Sequence, residues 1–351
     1  MYRFSIVIPA HNGAQFLHLA IGAALQQTRL ADEVLLIDDA STDATVEIAK
    51  SYESKLKYHF HQEATGFVDA WNRAIELASG DFVTILHQDD LLHPEYLEHI
   101  EKALRRFPSI KHFYSACNYI DEHGAIIKGP PEPYSLEPVF YSGKEYARNY
   151  LNGVVTNNHI HRCPGVTTQR NLLLAECTYR KEAGHIADDD FFLRVGAFTD
   201  VVGISQPLAS FRHHGHSVTG QRGLLTLELA RDYVFQVLFH KGNKTLLDDE
   251  DITQVQLQAV KFINLLLFQS LLYKQQEWTQ KAFGLRDELD KMLPSFMEKN
   301  LPLWARKMWG MTSAKSKKNR TAAFYVAVLN AIIKSRDYVK ALLKHEFTSN
   351  K

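Results

Sequence analysis

The sequence lacks the features that mark disulfide-rich, zinc-binding and membrane-spanning proteins. Its 351 residues include three cysteines (Cys117, Cys163 and Cys177) and no CxxC pair, which argues against a disulfide framework or a structural zinc site. No stretch of about eighteen apolar residues is present, so the sequence predicts no membrane-spanning helix. The first residues, MYRFSIVIPAHNG, do not resemble a signal peptide. We therefore expect a reducing, cytoplasmic environment.

The formal net charge of zero conceals an uneven distribution of charge along the chain. Residues 301–351 contain eleven Lys or Arg and two Asp or Glu, which is a charge of +9. Because the whole chain has 40 residues of each sign, residues 1–300 carry −9. An acidic body with a basic tail indicates a two-part organisation.

Residues 3–117 alternate short β-rich runs with amphipathic stretches. Continuous apolar strands in such an alternation predict an α/β fold, with a mostly parallel sheet flanked by helices. The predicted strands are Phe4–Ile8, Glu33–Ile37, Leu56–Phe60, Phe82–Leu86 and His112–Ser115, and the predicted helices are Ala14–Gln27, Asp43–Tyr52, Val68–Ala78 and Pro94–Arg106.

The pattern becomes irregular after residue 117 and then helical after residue 220. A hairpin is predicted over Asn118–Lys128, with a turn near Gly124, and a short helix is predicted from Ser142. Long helical patterns follow, which places a domain boundary near residue 220. We therefore predict an α/β domain at 1–220 and an α-helical C-terminal region at 221–351.

Acidic clusters follow two of the predicted strands. Ile37 is followed by Asp38 and Asp39, and Leu86 by the segment His87-Gln88-Asp89-Asp90. In open α/β sheets, ligands bind outside the carboxyl ends of the strands. Asp89 and Asp90 suit a hard divalent cation, or alternatively a turn before the next helix. Asp38 and Asp39 suit a bound ligand, whereas Ser41 or Asp43 suits a helix cap.

A third acidic cluster, Asp188-Asp189-Asp190, precedes an apolar run. Three adjacent carboxylates repel one another, which predicts a raised pKa for at least one of them and makes it a candidate general base. The alternative is an acidic helix start that the macrodipole stabilises. Helical spacing pairs Asp190 with Arg194, which leaves Asp188 or Asp189 for chemistry.

The segment FRHHGHSV at 211–218 contains three histidines in four positions. At the end of a predicted strand, such a group is a candidate metal or phosphate contact, for which His213 and His214 are the alternatives. Arg212 suits either a phosphate or an internal ion pair.

These segments, in this order, resemble the family-two nucleotide-sugar glycosyltransferases, which have the glycosyltransferase-A (GT-A) fold. The similarity covers about the first 220 residues. It implies a nucleotide-binding half at 1–117, an acceptor half at 118–220, and transfer of a sugar with inversion from a nucleotide diphosphate sugar, with a UDP-sugar favoured. The segments that carry it are SIVIPAHNGAQFL, QQTRLADEVLLIDDASTDAT, GFVDAWNRAIELASGDFVTILHQDDLLHPEYL, FYSACNYIDEHG, ADDDFFLR and FRHHGHS.

The resemblance also implies roles for individual residues. It places Asp188 as the catalytic base, with Asp189 as the alternative. A divalent cation, Mn²⁺ or Mg²⁺, would be held by Asp89, Asp90 and His214. The residues implied at the nucleotide are Pro9, His11, Asn12, Asp38, Asp39, Asn72 and Asp89.

Three positions depart from the family pattern. His87 stands where the first Asp of a DxD motif is common, Trp71 where an Arg is common, and Ala187 where a Glu usually precedes the base. These departures favour a non-catalytic nucleotide-sugar-binding relative as the alternative. A nicotinamide-dependent enzyme is excluded because PAHNGA, after the first strand, does not supply GxGxxG.

The basic tail, residues 301–351, contains the segment KMWGMTSAKSKKNR. Cationic residues near tryptophans suit an anionic membrane surface, although a solvated face is the alternative. We expect peripheral attachment to the inner face of the cytoplasmic membrane, a glycan or lipid-linked glycan acceptor of the kind used in polysaccharide biosynthesis, and no nucleic-acid partner, since no recognition motif accompanies the tail.

Overall fold

The computed structural model describes residues 2–130, 133–155, 160–215 and 248–249. The predicted boundary near residue 220 and the basic tail at 301–351 lie outside the described residues. So does the predicted helical region 221–351, apart from residues 248–249.

The described residues form an α/β domain built on one sheet. Ten strands make up this sheet, and seven α-helices and two short 3₁₀-helices connect them within the described ranges. The strands are β1 (Phe4–Ala10), β2 (Glu33–Asp39), β3 (Lys57–His61), β4 (Phe82–Ile85), β5 (Leu91–Leu92), β6 (His112–Ile120), β7 (Ile126–Lys128), β8 (Val139–Tyr141), β9 (Val166–Gln169) and β10 (Val201–Arg212).

The helices alternate with these strands along the chain. They are α1 (Leu17–Leu25), α2 (Thr45–Ser51), α3 (Phe67–Leu77), α4 (Tyr96–Arg106), α5 (Gly143–Val155), α6 (Arg170–Ala175) and α7 (Ala187–Val195), with 3₁₀-helices at Cys163–Gly165 and Lys181–Ile186. The predicted strands and helices of residues 3–117 are confirmed, with ends that shift by at most three residues, except that β6 ends at Ile120, five residues later than predicted.

The strand order is β3-β2-β1-β4-β9-β6-β10-β5, with β7 paired to β6 and β8 to β10. Strands β3, β2, β1 and β4 are parallel, as are β6 and β10. Strand β9 was not predicted, and it lies antiparallel between β4 and β6. It joins the two parallel groups into one sheet, so the carboxyl ends of β1, β2 and β4 share one edge with the end of β10.

The core forms because the central strands are apolar on both faces. Phe4, Ile6 and Ile8 of β1 are fully buried against a face that helices α1 and α4 cover. Trp71, on α3, is buried on a helix that packs against β1 and β2. Each such side chain contributes about 1.5–3 kcal/mol when it leaves water. This burial holds the strand ends in place beneath the site.

The predicted hairpin at 118–128 is also confirmed. Strand β6 pairs with β7 antiparallel, and Gly124 has a φ of +88°, a conformation in which glycine carries no side-chain penalty. Among the described residues, no helix combines the length and apolar character that a membrane crossing requires.

Candidate active site

The strand ends meet where β1 lies between β2 and β4. The Nδ1 atom of His11 lies 2.7 Å from the carbonyl oxygen of Asp39, and the backbone N–H of His11 donates to Gln88 Oε1 at 2.8 Å. Gln88 Nε2 donates back to the His11 carbonyl at 3.1 Å. Pro9 is buried in β1 beside Ile37. The structure therefore brings three of the predicted segments together at one edge.

Two residues at this edge adopt a left-handed backbone without being glycine. Asn12 has a φ of 51° and Ala40 a φ of 61°. Such conformations are sparsely populated for side-chain-bearing residues, and they cluster at ligand-binding sites. The Asn12 N–H donates to Ser41 Oγ at 2.9 Å, and Asn12 Oδ1 accepts from the Thr42 N–H at 2.8 Å. These bonds hold the two loops against each other.

Asp38 and Asp39 lie at the end of β2 and are almost completely buried. The Asp38 carboxylate accepts from the Tyr58 hydroxyl at 3.0 Å and from the backbone of the following turn at 2.9 Å. Asp39 accepts from the N–H groups of Thr65 and Gly66, both at 2.9 Å. Both carboxylates therefore order the surrounding loops, and a bound nucleotide would share them with these protein donors.

Asn72, which the resemblance places at the nucleotide, uses its side chain for a contact within the protein. Its Nδ2 donates to the carbonyl of Tyr179 at 2.9 Å, and its Oδ1 accepts from the N–H of Tyr179 at 3.1 Å. This reciprocal pair ties α3 to the segment that leads into α7. In this geometry the oxygen and the nitrogen of the Asn72 side-chain amide are both used for contacts within the protein.

Asp89 and His214 come together across 125 positions of sequence. Asp89 Oδ2 lies 2.9 Å from His214 Nε2, and the Asp89 side chain remains 20% exposed. Arg212, at the end of β10, secures this junction because its Nε donates to the Asp89 carbonyl at 2.8 Å. Its guanidinium is buried and also donates to the carbonyl of Asp121 at 3.0 Å. Arg212 therefore binds backbone carbonyls, rather than the phosphate or ion pair that the sequence suggested.

Asp90 faces inward from the same segment. Its Oδ1 accepts from the Arg212 N–H at 2.8 Å, whereas its buried Oδ2 has no hydrogen-bond partner among the described residues and lies 3.5 Å from His87 Nδ1. Burial and the neighbouring charge of Asp89 raise the pKa of Asp90 to about 6. The His87 ring stacks on Trp71, with the ring centroids 5.1 Å apart.

The three adjacent aspartates at the start of α7 have different environments. Asp188 is half-buried, and its Oδ1 accepts from the N–H of Asp189 at 2.9 Å. Burial and the charge of Asp189 raise the pKa of Asp188 to about 6, while the charges of Arg162 and His87 act in the opposite direction. Asp189 is buried and accepts a hydrogen bond from the Tyr150 hydroxyl. The predicted raised pKa is thus found at Asp188.

Two aspartates that the sequence suggested as structural are confirmed in that role. Asp190 is fully buried and forms ion pairs with Arg180 and Arg194. Asp43 accepts from the N–H of Thr45 at 2.9 Å, at the start of α2.

Several residues that shape this site were missed in the sequence. Gln88 joins two strand ends, the Tyr150 hydroxyl donates a hydrogen bond to Asp189, and the charge of Arg162 lowers the pKa of Asp188. Single polar residues in loops carry no local signal of such roles, because the partners come from distant segments. Among the described residues, no group of three His, Cys, Asp or Glu side chains is arranged to hold a metal ion.

A mixed α/β sheet with acidic loops at the carboxyl ends of its strands is typical of enzymes that bind sugar nucleotides. Residues 5–129 match the family model described as glycosyl transferase family 2. Over these residues the chain is similar to the family 2 glycosyltransferases, and its fold is the GT-A fold.

Known proteins of related sequence or fold are consistent with this assignment. An uncharacterized glycosyltransferase of Rickettsia typhi is 36% identical over 137 residues, which are 38% of this chain and 42% of the relative. The chain therefore spans less than half of that relative's length.

Two solved structures share the fold at low sequence identity. The S. aureus TarS 1-349 structure in complex with UDP-GlcNAc has a TM-score of 0.63 and 15% identity, over 95% of this chain and 92% of that one. The mannosyltransferase of Pyrobaculum calidifontis, in complex with GDP-Man and Mn²⁺, has a TM-score of 0.52 and 16% identity, over 95% and 85% of the two chains.

Proposed function

We propose that this chain transfers a sugar, with inversion, from a nucleotide diphosphate sugar to a hydroxyl group of a glycan or lipid-linked glycan. The observation that carries the proposal is Asp188, a carboxyl group whose pKa is raised by burial and by Asp189 and on which the charge of His87, in the loop after β4, also acts. That loop also carries Asp89 and its partner His214. We infer that a proton acceptor and a candidate diphosphate-binding pair serve one reaction.

The donor would lie over the carboxyl ends of β1 and β2. His11, Asn12 and the carboxylates of Asp38 and Asp39 surround this edge, and the strained loops are held ready by their own hydrogen bonds. Such preorganisation reduces the entropy that binding costs. The UDP-GlcNAc bound to the structural neighbour TarS supports a UDP-sugar as the donor.

The donor set fits a divalent cation that the substrate helps to bind. Asp89 supplies a partly exposed carboxylate and His214 an imidazole, and Mg²⁺ or Mn²⁺ commonly takes one or two protein ligands together with phosphate oxygens. Asp90, whose buried Oδ2 has no hydrogen-bond partner in the described part of the chain, would support them. Such a cation would offset the negative charge that develops on the leaving diphosphate. The Mn²⁺ in the Pyrobaculum neighbour supports this assignment.

Asp188 would act as the general base. The oxygen of the acceptor hydroxyl forms a bond to the anomeric carbon of the sugar, and the hydroxyl proton moves to a carboxylate oxygen of Asp188. At the same time the bond between the anomeric carbon and the diphosphate breaks. Attack opposite the leaving group inverts the configuration. A base with a pKa near 6 holds a proton more strongly than an ordinary aspartate and is still ionised at pH 7. Asp189 is a weaker candidate because its carboxylate already accepts a hydrogen bond from the Tyr150 hydroxyl.

The chain would reach a lipid-linked acceptor by attaching to the membrane through residues 301–351. This attachment rests on the charge of +9 in that segment, since each basic residue near an anionic surface contributes about 1 kcal/mol.

The test compares three proteins in a donor-hydrolysis assay with UDP-GlcNAc, with and without Mn²⁺. Asp188→Asn is expected to lose at least 100-fold in rate, in line with the usual contribution of a general base of about 10²–10⁴. Asp69→Asn, which removes an exposed carboxylate bonded to Lys181, is the matched control and should retain the wild-type rate. Donor binding without turnover in the wild type would instead favour a non-catalytic nucleotide-sugar-binding relative.

A further inference from the structure

Arg162 is placed next to the proposed base without forming an ion pair to it. It precedes the 3₁₀-helix Cys163–Gly165, and its carbonyl accepts from the Gly165 N–H at 3.1 Å, which fixes the backbone at this point. Its charge lowers the pKa of Asp188, and the charge of Asp189 acts in turn on Arg162. The ring of the preceding residue, His161, packs against that of Phe192 on α7, with the centroids 4.6 Å apart, so Arg162 lies close to the helix that carries Asp188.

The guanidinium is held by aromatic side chains and by one hydrogen bond. Arg162 Nε donates to the Tyr119 hydroxyl at 2.9 Å, and Cζ lies 5.7 Å from the centroid of the Tyr119 ring and 5.6 Å from that of Phe211. These two rings belong to the ends of β6 and β10. Arginine stacked in this manner keeps its plane fixed, so less entropy is lost when its remaining donors bind a ligand.

The two terminal amino groups of Arg162 remain available. Within the described residues they donate no hydrogen bond and form no ion pair, and the Arg162 side chain is half-buried. Because this guanidinium is half-buried, it has lost part of its hydration. No carboxylate among the described residues contacts it to offset that cost. A fixed, forked donor is suited to two oxygens of one carboxylate or phosphate.

A second cation lies beside the same ring. Lys128 Nζ, on strand β7, is 5.7 Å from the centroid of Tyr119, and the Lys128 side chain is exposed. Lys128, on the hairpin, and Arg162, just before the 3₁₀-helix, therefore both lie beside the Tyr119 ring. Together with Phe211 they form a basic aromatic notch, consisting of Tyr119, Lys128, Arg162 and Phe211.

We propose that this basic aromatic notch binds an anionic group of the acceptor, so that the acceptor is an acidic glycan carrying a carboxylate or a phosphate near the reacting hydroxyl. This inference rests on the proposed function, because it assigns the substrate class of the same site. The acceptor, rather than the donor, is assigned to the notch because Arg162 lies beside Asp188. The donor residues lie instead at the ends of β1 and β2.

The test measures binding of three probes by isothermal titration calorimetry in the presence of saturating UDP. The probes are a hyaluronan tetrasaccharide with carboxylates, a glycerol phosphate oligomer with phosphates, and neutral chitotetraose. We expect the wild type to bind one of the two anionic probes at least about tenfold more tightly than chitotetraose. Arg162→Gln should abolish that preference, and Arg162→Lys should restore part of it. Arg105→Gln, an equal loss of charge on α4, should leave the preference intact.

The affinity for UDP separates this inference from the proposed function. If Arg162→Gln weakens UDP binding as much as it weakens the anionic probe, Arg162 serves the donor diphosphate and the inference is wrong. Equal affinity of the wild type for anionic and neutral probes, or a preference that persists in Arg162→Gln, would also overturn it. If UDP does not bind the wild type at all, the proposed function itself fails. Unchanged UDP binding in the variant shows that it has folded.

Discussion

A carboxylate with a raised pKa should destabilise the folded protein once it is ionised, and Asp188, the proposed base, allows this to be measured. The pKa of Asp188 rises from an ordinary 3.8 to about 6 on folding, and one pKa unit corresponds to about 1.4 kcal/mol. The folded state therefore loses about 3 kcal/mol once Asp188 is ionised. Asp188→Asn removes this cost and keeps an oxygen that can accept from the N–H of Asp189.

The sign of the effect depends on pH. A group with a raised folded-state pKa contributes its full stability below its unfolded pKa, near 4, and loses it as the pH rises through about 6. The variant and the wild type should therefore melt together near pH 4. At pH 8 the variant should be more stable by up to about 3 kcal/mol, which is a few degrees in melting temperature. The same variant should lose donor hydrolysis at every pH.

Differential scanning calorimetry at pH 4 and pH 8 tests this reasoning, with Asp69→Asn as the matched loss of an exposed carboxylate. The wild-type rate of donor hydrolysis should also rise with pH through about 6, as Asp188 loses its proton. A variant that is less stable than the wild type at pH 8, together with a rate that is independent of pH between 5 and 7, would refute the assignment of Asp188 as a strained base.

Three further predictions concern the core, the donor site and the tail. Asp190→Asn should destabilise the domain by about 3–5 kcal/mol in urea unfolding, because two arginines would lose their buried carboxylate; a cost below 1 kcal/mol would contradict this. Gly13→Ala should weaken UDP binding severalfold, because a Cβ there would displace the end of the Gln88 side chain and break its hydrogen bonds with the His11 backbone. Gly22→Ala, where a Cβ meets nothing within 4 Å, should bind UDP normally, and equal affinities would be contrary to expectation. The full chain should float with anionic liposomes and a chain lacking residues 301–351 should not; equal flotation would disprove membrane binding through the tail.

The order of strands and helices in residues 3–117 could be predicted from the sequence, apart from the two-residue strand β5. Apolar runs of four to seven residues and amphipathic stretches between them are local patterns, and they depend little on distant contacts. The acidic segments at the end of β2 and after β4 could be located for the same reason, since polar residues at the end of a buried apolar run are easily recognised. Asp43 and Asp190 could be recognised as structural, because helix starts and i,i+4 pairs are local.

The partners of the acidic residues could not be predicted in this way. Asp89 meets His214 because β10 crosses the sheet next to β6, and strand β9 makes that arrangement possible by pairing antiparallel with both β4 and β6. Neither fact has a signature in a short stretch of sequence.

The amino-acid sequence alone determined the class of fold and the positions at which carboxylates leave the strands. The tertiary structure decided which of them could act, because the pKa and the partners of a carboxylate depend on burial and on charges from remote segments. Asp188, Asp189 and Asp190 are adjacent and chemically identical. One is half-buried with a raised pKa, one accepts from the Tyr150 hydroxyl, and one is neutralised by two arginines. Packing, rather than composition, makes them different.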